Sequence, residues 1–177
     1  MNKNISIFLI IFFSVLLQVS FFPNIIPRQI FPDIALIIIL FWTVERGFEE
    51  TWKWTILTGL MIDLAYFWPI GASVFSFVFT AYVINSLTKR FLVNQTIFRF
   101  LILVAFIIFG TILNDMITIS AVKFARREMF DFNMLFLNFD IFLKIFCNLG
   151  MFLLIYVPLV KLEKFFGSLD LRLKSFR

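Results

Sequence analysis

The sequence predicts an all-α polytopic membrane protein, a compact bundle of six transmembrane helices. Of its 177 residues, 62% are hydrophobic and 15% are charged, which is more apolar surface than a soluble domain of this size can hide. The charges fall in short clusters, and the apolar runs between them are long enough to cross about 30 Å of hydrocarbon. Backbone groups in such runs must bond within their own segment, which favours helices over the short alternating segments of a β-barrel.

The apolar runs divide the chain into six predicted spans and a tail. The spans cover about 5–22, 33–45, 52–68, 70–88, 97–121 and 139–160, which makes 1–160 one six-helix transmembrane domain followed by a basic amphipathic tail, 161–177. The first run exceeds a usual signal-peptide core and lacks an A-x-A site, so we interpret it as a retained membrane helix. Pro69 and Gly71 predict a tight turn between the third and fourth spans.

The distribution of Lys and Arg predicts that both termini are cytoplasmic. With the N-terminus inside, eleven of the 16 basic residues lie on the inner side and four on the outer side, while Lys144 falls within the last span. Inner loops of membrane proteins carry such an excess. The net charge of +5 then lies mostly on the cytoplasmic side, where anionic lipid attracts it. We therefore expect no nucleic-acid partner.

Five spans carry a thin stripe of small or polar residues at helical spacing. The stripes are Ser14 and Gln18; Thr55, Gly59 and Asp63; Ala72, Ser76 and Thr80; Gly110, Asn114 and Thr118, with Asp115 beside them; and Asp140, Lys144 and Asn148. Residues four apart share a helix face, and small or polar faces permit close packing and hydrogen bonds between membrane helices. We therefore expect the stripes to point into the bundle, and Asp140 could pair with Lys144 along their own helix.

Asp63 is a carboxylate in a strongly apolar run, "GLMIDLAYFWPIG". A charge at membrane depth is costly unless it is paired or hydrated. One hypothesis is structural: Asp63 caps or hydrogen-bonds a neighbouring helix. The other is functional: Asp63 lines a cavity or anchors a partner. The same two hypotheses apply to Asp115.

All four tryptophans fall near predicted span ends, which is typical of interfacial anchors. They are Trp42, Trp52, Trp54 and Trp68. We expect them to lie at the membrane–water boundary.

The outer segment 123–138 mixes cations with large apolar residues, and it is the candidate partner surface. Its candidate residues are Phe124, Arg126, Arg127, Met129, Phe130, Phe132 and Phe136. Such a segment either lies against lipid or docks a partner's membrane segment.

The residue inventory argues against catalysis. The chain has no histidine and a single cysteine, Cys147, so a nucleophile would lack its usual base and a metal would lack its commonest ligand. No phosphate-binding loop is present. We expect a non-enzyme without a cofactor or a metal site.

Two segments resemble the rod shape-determining protein MreD family: "FPDIALIIILFW" and "LTGLMIDLAYFWPIGASVFSFVFTAYVINSL". The residues that carry the resemblance are Pro32, Asp33, Phe41, Trp42, Gly59, Asp63, Leu64, Pro69 and Gly71, with Asp115 as a looser match. "AYFWP" departs from the family, whose members often carry small polar residues there.

The resemblance implies a membrane scaffold of the bacterial cell-elongation machinery, in the inner membrane. Its partners would be MreC and, directly or indirectly, the actin-like MreB, RodA and a class B penicillin-binding protein. The family also resembles, in fold, the substrate-binding membrane subunits of energy-coupling-factor vitamin transporters. Such a subunit is the alternative function, although the short 68–71 turn and the many Phe residues favour a scaffold.

Overall fold

The structure is a computed structural model that describes residues 3–25, 31–91, 96–127 and 139–175. Every regular element in these ranges is a helix, which confirms the predicted all-α class. The elements are α1 (Lys3–Leu16), a π-helical segment (Leu17–Phe21), α2 (Phe22–Ile25), α3 (Ile34–Arg46), α4 (Phe48–Ala65), α5 (Ala72–Phe91), α6 (Thr96–Arg126) and α7 (Phe139–Ser175).

Helix α3 is the centre of the bundle. Its residues from Ile34 to Val44 are all buried, and it packs against α1, α4, α5, α6 and α7. A helix that is apolar all round belongs inside. With 13 residues it is about 20 Å long, which is short for a lipid-facing span but suited to a core enclosed by longer helices.

Among the residues that the structure describes, three helices are long and apolar enough to cross a membrane. They cover Asn4–Asn24, Phe100–Ala125 and Phe139–Phe166. These lengths and compositions fit a membrane protein, and the first of them contains the predicted N-terminal membrane helix.

The connection between α3 and α4 is shorter than the interval 46–51 that separates the predicted second and third spans. Gly47 alone separates the two helices; its φ of +83° is a conformation that glycine adopts without strain. Glu49 and Glu50 lie in the first turn of α4, where negative charge interacts favourably with the helix dipole. Helix α4, Phe48–Ala65, therefore begins before and ends before the residues predicted for the third span, 52–68.

Helix α7 runs without interruption past the predicted end of the last span. It contains Pro158 and continues to Ser175. Phe166 is only 2% exposed, and Glu163 bonds to Arg46 at the end of α3 through two oxygens at 2.7–3.0 Å. The beginning of the predicted tail thus packs against the bundle.

Trp42 corrects the prediction that every tryptophan is an interfacial anchor. It is 1% exposed and belongs to the main apolar core, with the Arg46 guanidinium 5.5 Å from its ring centre. Its position near the end of α3 does not put it at a lipid interface, because α3 is enclosed by other helices. Trp52, by contrast, is 41% exposed.

Candidate functional site

A large group of polar side chains gathers at one end of the bundle. This end combines the start of α3, the end of α4, the start of α5, the second half of α6 and the first half of α7. The buried members of the predicted stripes are Ser14, Gln18, Thr55, Gly59, Asp63, Ala72, Ser76, Thr80, Gly110, Asn114, Thr118 and Asn148. Asp140 is exposed, so the stripe on α7 begins one turn later than predicted.

Asp63 ties the end of α4 to the start of α5. Its Oδ2 accepts the Gly71 N–H at 2.7 Å and its Oδ1 accepts the Ser73 N–H at 2.8 Å. The side chain is fully buried. A carboxylate there satisfies orphan N–H groups of the first turn of α5 and interacts favourably with the positive end of its dipole. Both oxygens are therefore used within this hairpin.

The α4–α5 turn is compact because its backbone closes on itself. The Trp68 N–H donates to the Asp63 carbonyl at 3.0 Å, and the Ala72 N–H donates to the Pro69 carbonyl at 3.1 Å. Gly71 has a φ of +104°, which favours glycine. Pro69 and Gly71 thus occupy the tight turn that the sequence predicts.

Gly59 brings the two helices of the hairpin into direct backbone contact. A Cβ at position 59 would lie 2.6 Å from the Cα of Val74. No side chain fits in that space, so α4 and α5 pack closely only with glycine here.

A second group of bonds holds the start of α3. The Asp33 side chain caps the helix by accepting the Leu36 N–H at 3.1 Å, a bond typical of an N-cap, and buried Pro32 precedes it. The Asp33 N–H donates to Asn148 Oδ1 at 2.6 Å. Asn148 in turn donates to Thr111 Oγ1 at 2.9 Å. One fully buried amide thus joins α3, α6 and α7.

Gln18 lies inside the bundle, as the sequence predicts for the polar stripe of the first span. The π-helical segment places it inside the bundle, 4% exposed, and its Oε1 accepts the Ala35 N–H at 3.2 Å. A π-helical turn shifts the helix phase by the extra residue in its ring. In the sequence, the place of Gln18 in the polar stripe of the first span indicated this inward position.

Lys144 pairs with Asp115 rather than with Asp140. Its Nζ lies 2.5 Å from Asp115 Oδ1, and the two side chains are 22% and 13% exposed. The bond joins α7 to α6. Next to it, Ser76 Oγ on α5 donates to Asn114, with the carbonyl oxygen at 2.9 Å and Oδ1 at 2.6 Å.

Several of these residues line a cavity of about 210 Å³. Its lining includes the charged residues Asp33, Asp115 and Lys144 and a group of stacked aromatic rings. The Phe31 and Tyr66 rings lie 6.2 Å apart, and the Tyr66 and Trp68 rings 5.2 Å apart. We name this space the polar cavity.

An apolar groove of about 490 Å³ opens along α5 and α6. It is lined by Phe75, Met116, Ile117, Ser120, Ala121 and Phe124. Phe75 is 61% exposed and Phe124 is 85% exposed. We name this surface the α5–α6 groove.

The groove includes one residue of the predicted partner surface, Phe124, and Arg127 lies exposed just beyond it. Arg126 ends α6, but its side chain is outside the described set. The other four residues, Met129, Phe130, Phe132 and Phe136, lie outside the described residues. Within the described ranges, no group of three or more Cys, Asp or Glu residues could hold a metal ion.

Comparison with known proteins gives one match. A family model described as rod shape-determining protein MreD matches residues 1–162. The chain has no significant match among curated proteins or among solved structures.

Proposed function

Because this chain belongs to the rod shape-determining protein MreD family, we propose that it is a non-catalytic membrane scaffold of the bacterial cell-elongation machinery. It binds MreC and helps to couple MreB with RodA and a class B penicillin-binding protein for peptidoglycan synthesis. The observation that carries this proposal is the family match across residues 1–162. The family's role is rod-shape determination rather than a known catalytic activity.

The proposed arrangement in the inner membrane has six crossings and both termini in the cytoplasm. Three apolar helices support it directly. The other three proposed crossings are α3, which the other helices enclose, and α4 and α5, which pack against α3 and each present an exposed apolar face. The excess of Lys and Arg on the side of the N-terminus supports the orientation. The polar cavity and the start of α5 then face outward.

The α5–α6 groove is the proposed contact with a partner's transmembrane helix. Without a hydrophobic driving force in lipid, helices associate where small residues permit close approach. Ser120 and Ala121 supply such residues, and they line the groove together with the large side chains of Phe75 and Phe124. An apolar groove that combines small and large residues suits a helix better than it suits the ends of lipid chains.

The proposal is tested by isolating tagged full-length protein from its native membrane in mild detergent and identifying co-purified proteins by mass spectrometry. Recovery of MreC, RodA or the penicillin-binding protein is expected. Ala121→Trp fills the groove and should reduce that recovery. Ala105→Trp is the matched control, because Ala105 is exposed on the same helix and lies outside the groove. Equal recovery with both variants would rule out the groove as the contact.

The polar cavity favours a second candidate function, a substrate-binding subunit of a vitamin-type energy-coupling-factor transporter. Charged and aromatic residues converge on it from several helices, as a small-ligand pocket requires. The same isolation separates the two functions. Recovery of a coupling subunit with paired ATPases, and none of the elongation proteins, would overturn the scaffold in favour of the transporter.

A further inference from the structure

The polar cavity contains more hydrogen-bonding capacity than the described protein uses. Ser73 is 1% exposed and Thr118 is 6% exposed, and both line the cavity. Neither hydroxyl has a hydrogen-bond partner within the described residues, and the same is true of the Tyr66 hydroxyl. Buried polar groups are normally paired. Three unpaired hydroxyls around one space indicate that a bound molecule completes the site.

The charges of the cavity favour a cation. Asp33 and Asp115 bring two carboxylates, whereas Lys144 is the one ammonium among the lining residues. Lys144 is bonded to Asp115. Asp33 is 6% exposed, accepts the uncharged Leu36 N–H, and shares the positive charge of Lys144 with Asp115. Two carboxylates and one ammonium leave one negative charge uncompensated among the lining residues. Such a buried charge is costly, so a positively charged ligand near Asp33 would stabilise the site.

The aromatic residues that line the cavity favour a flat apolar body. Phe31, Tyr66 and Trp68 form a continuous stack, and Ile62 and Phe77 also line the space. Aromatic rings stack on flat ligands and attract cations through their faces. The volume of about 210 Å³ exceeds that of a single water several times over, since one water occupies roughly 30 Å³.

We propose that the polar cavity binds a small organic cation, a primary ammonium attached to a flat apolar body. The ammonium lies by Asp33 and donates to the hydroxyls of Ser73 and Thr118. The apolar body packs along Tyr66 and Trp68. This binding site goes beyond the scaffold function, because it requires no partner protein.

Tyramine and tyrosol test the proposal as a matched pair, since tyrosol carries a hydroxyl in place of the ammonium. Binding to the purified full-length protein is measured by calorimetry and by the fluorescence of Trp68, read as the difference from a Trp68→Phe variant. Tyramine is expected to bind at least about tenfold more tightly than tyrosol, which corresponds to one charge-dependent contact. Equal affinities would overturn the assignment of a cation. Binding of neither molecule would overturn the site and leave a water-filled space.

Asp33→Asn removes the charge but retains an N-cap of similar quality, so it should abolish the preference for tyramine. Asp140→Asn is the matched control, because it removes an exposed carboxylate near the start of α7. It should bind tyramine like the natural protein. If Asp33→Asn does not fold, Ser73→Ala serves instead, because its backbone bond to Asp63 is unaffected. It should lower tyramine affinity, and unchanged affinity would contradict the proposed contact.

A lipid headgroup with a primary ammonium presents the same chemistry as a free amine. Tyramine binding is therefore measured in nanodiscs of phosphatidylglycerol, with and without added phosphatidylethanolamine. Competition by phosphatidylethanolamine assigns the ammonium site to a lipid headgroup, and the absence of competition assigns it to a free solute. Either result supports ammonium binding at Asp33. Because these measurements contain no partner protein, their failure is separate from failure of the scaffold proposal.

Discussion

Asp63 Oδ1 accepts the backbone N–H of Ser73 at 2.8 Å, across the turn that reverses the chain between α4 and α5. The same carboxylate accepts the Gly71 N–H. One side chain thus satisfies two backbone donors that the helix start cannot satisfy itself. The hairpin beside the polar cavity depends on this bond pair.

Asp63→Leu should destabilise the protein by roughly 3 kcal/mol, because charge-assisted bonds are lost and two buried N–H groups remain unpaired. The free energy of unfolding in detergent measures the loss. Asp140→Leu is the control, as Asp140 is exposed. In cells, the Asp63 variant should have a lower membrane level or capture less partner. Unchanged stability, membrane level, partner capture and rod shape would disprove the role of Asp63.

Gly59→Ala should destabilise the protein by about 1–3 kcal/mol, as expected for overpacking. The new Cβ would lie 2.6 Å from Val74 Cα, and backbone cannot move aside as a flexible side chain can. Gly150→Ala is a matched control, since nothing lies within 4 Å of its Cβ position. It should be neutral or stabilise α7 by up to about 1 kcal/mol through helix propensity. Equal unfolding temperatures for the two variants would contradict this packing.

Lys144 and Asp115 should show a favourable coupling of about 1–3 kcal/mol in a double-mutant cycle. Lys144→Met leaves a carboxylate in a low-dielectric site, and Asp115→Asn leaves an ammonium there. The double variant should therefore be destabilised by less than the sum of the destabilisations of the two single variants. Unfolding free energies of the four proteins give the coupling. A coupling near zero would mean that the two side chains do not interact across α6 and α7.

Arg46→Lys should destabilise the contact between α3 and α7 by about 1 kcal/mol, although the charge is kept. Arg46 makes a forked bond to Glu163, from Nε to Oε1 and from Nη2 to Oε2, and lies over the Phe166 ring at 5.3 Å. A lysine ammonium reproduces neither geometry. Lys161→Arg, at an exposed position on α7, is the control. The check is the rate of proteolysis after residue 160, which should rise only in the Arg46 variant.

Several features of the site were predictable because they depend on neighbours along the chain. The polar stripes follow from four-residue spacing, and the turn at Pro69 and Gly71 follows from backbone preferences. The buried position of Ser76 and Asn114 follows from the cost of polar groups in lipid. In each case, local geometry and solvent decide the outcome.

Other features required the packed molecule. Lys144 has Asp140 one turn away, yet it bonds to Asp115, 29 residues earlier. Trp42 is near a helix end, yet it is enclosed in the core. The spacing of residues along the sequence predicts which side chains share one face of a helix. Which neighbouring helix that face contacts depends on how the helices pack.

By itself, the sequence determined that this protein is helical, suited to a membrane and striped with polar residues, because these properties follow from composition and spacing. Only the tertiary structure decided that short α3 is the centre, and that Asp33, Asp115 and Lys144 share one cavity with three hydroxyls that have no partner among the described residues. Those groups come from helices far apart in the chain. Their meeting depends on how whole helix surfaces fit together, which no single segment encodes.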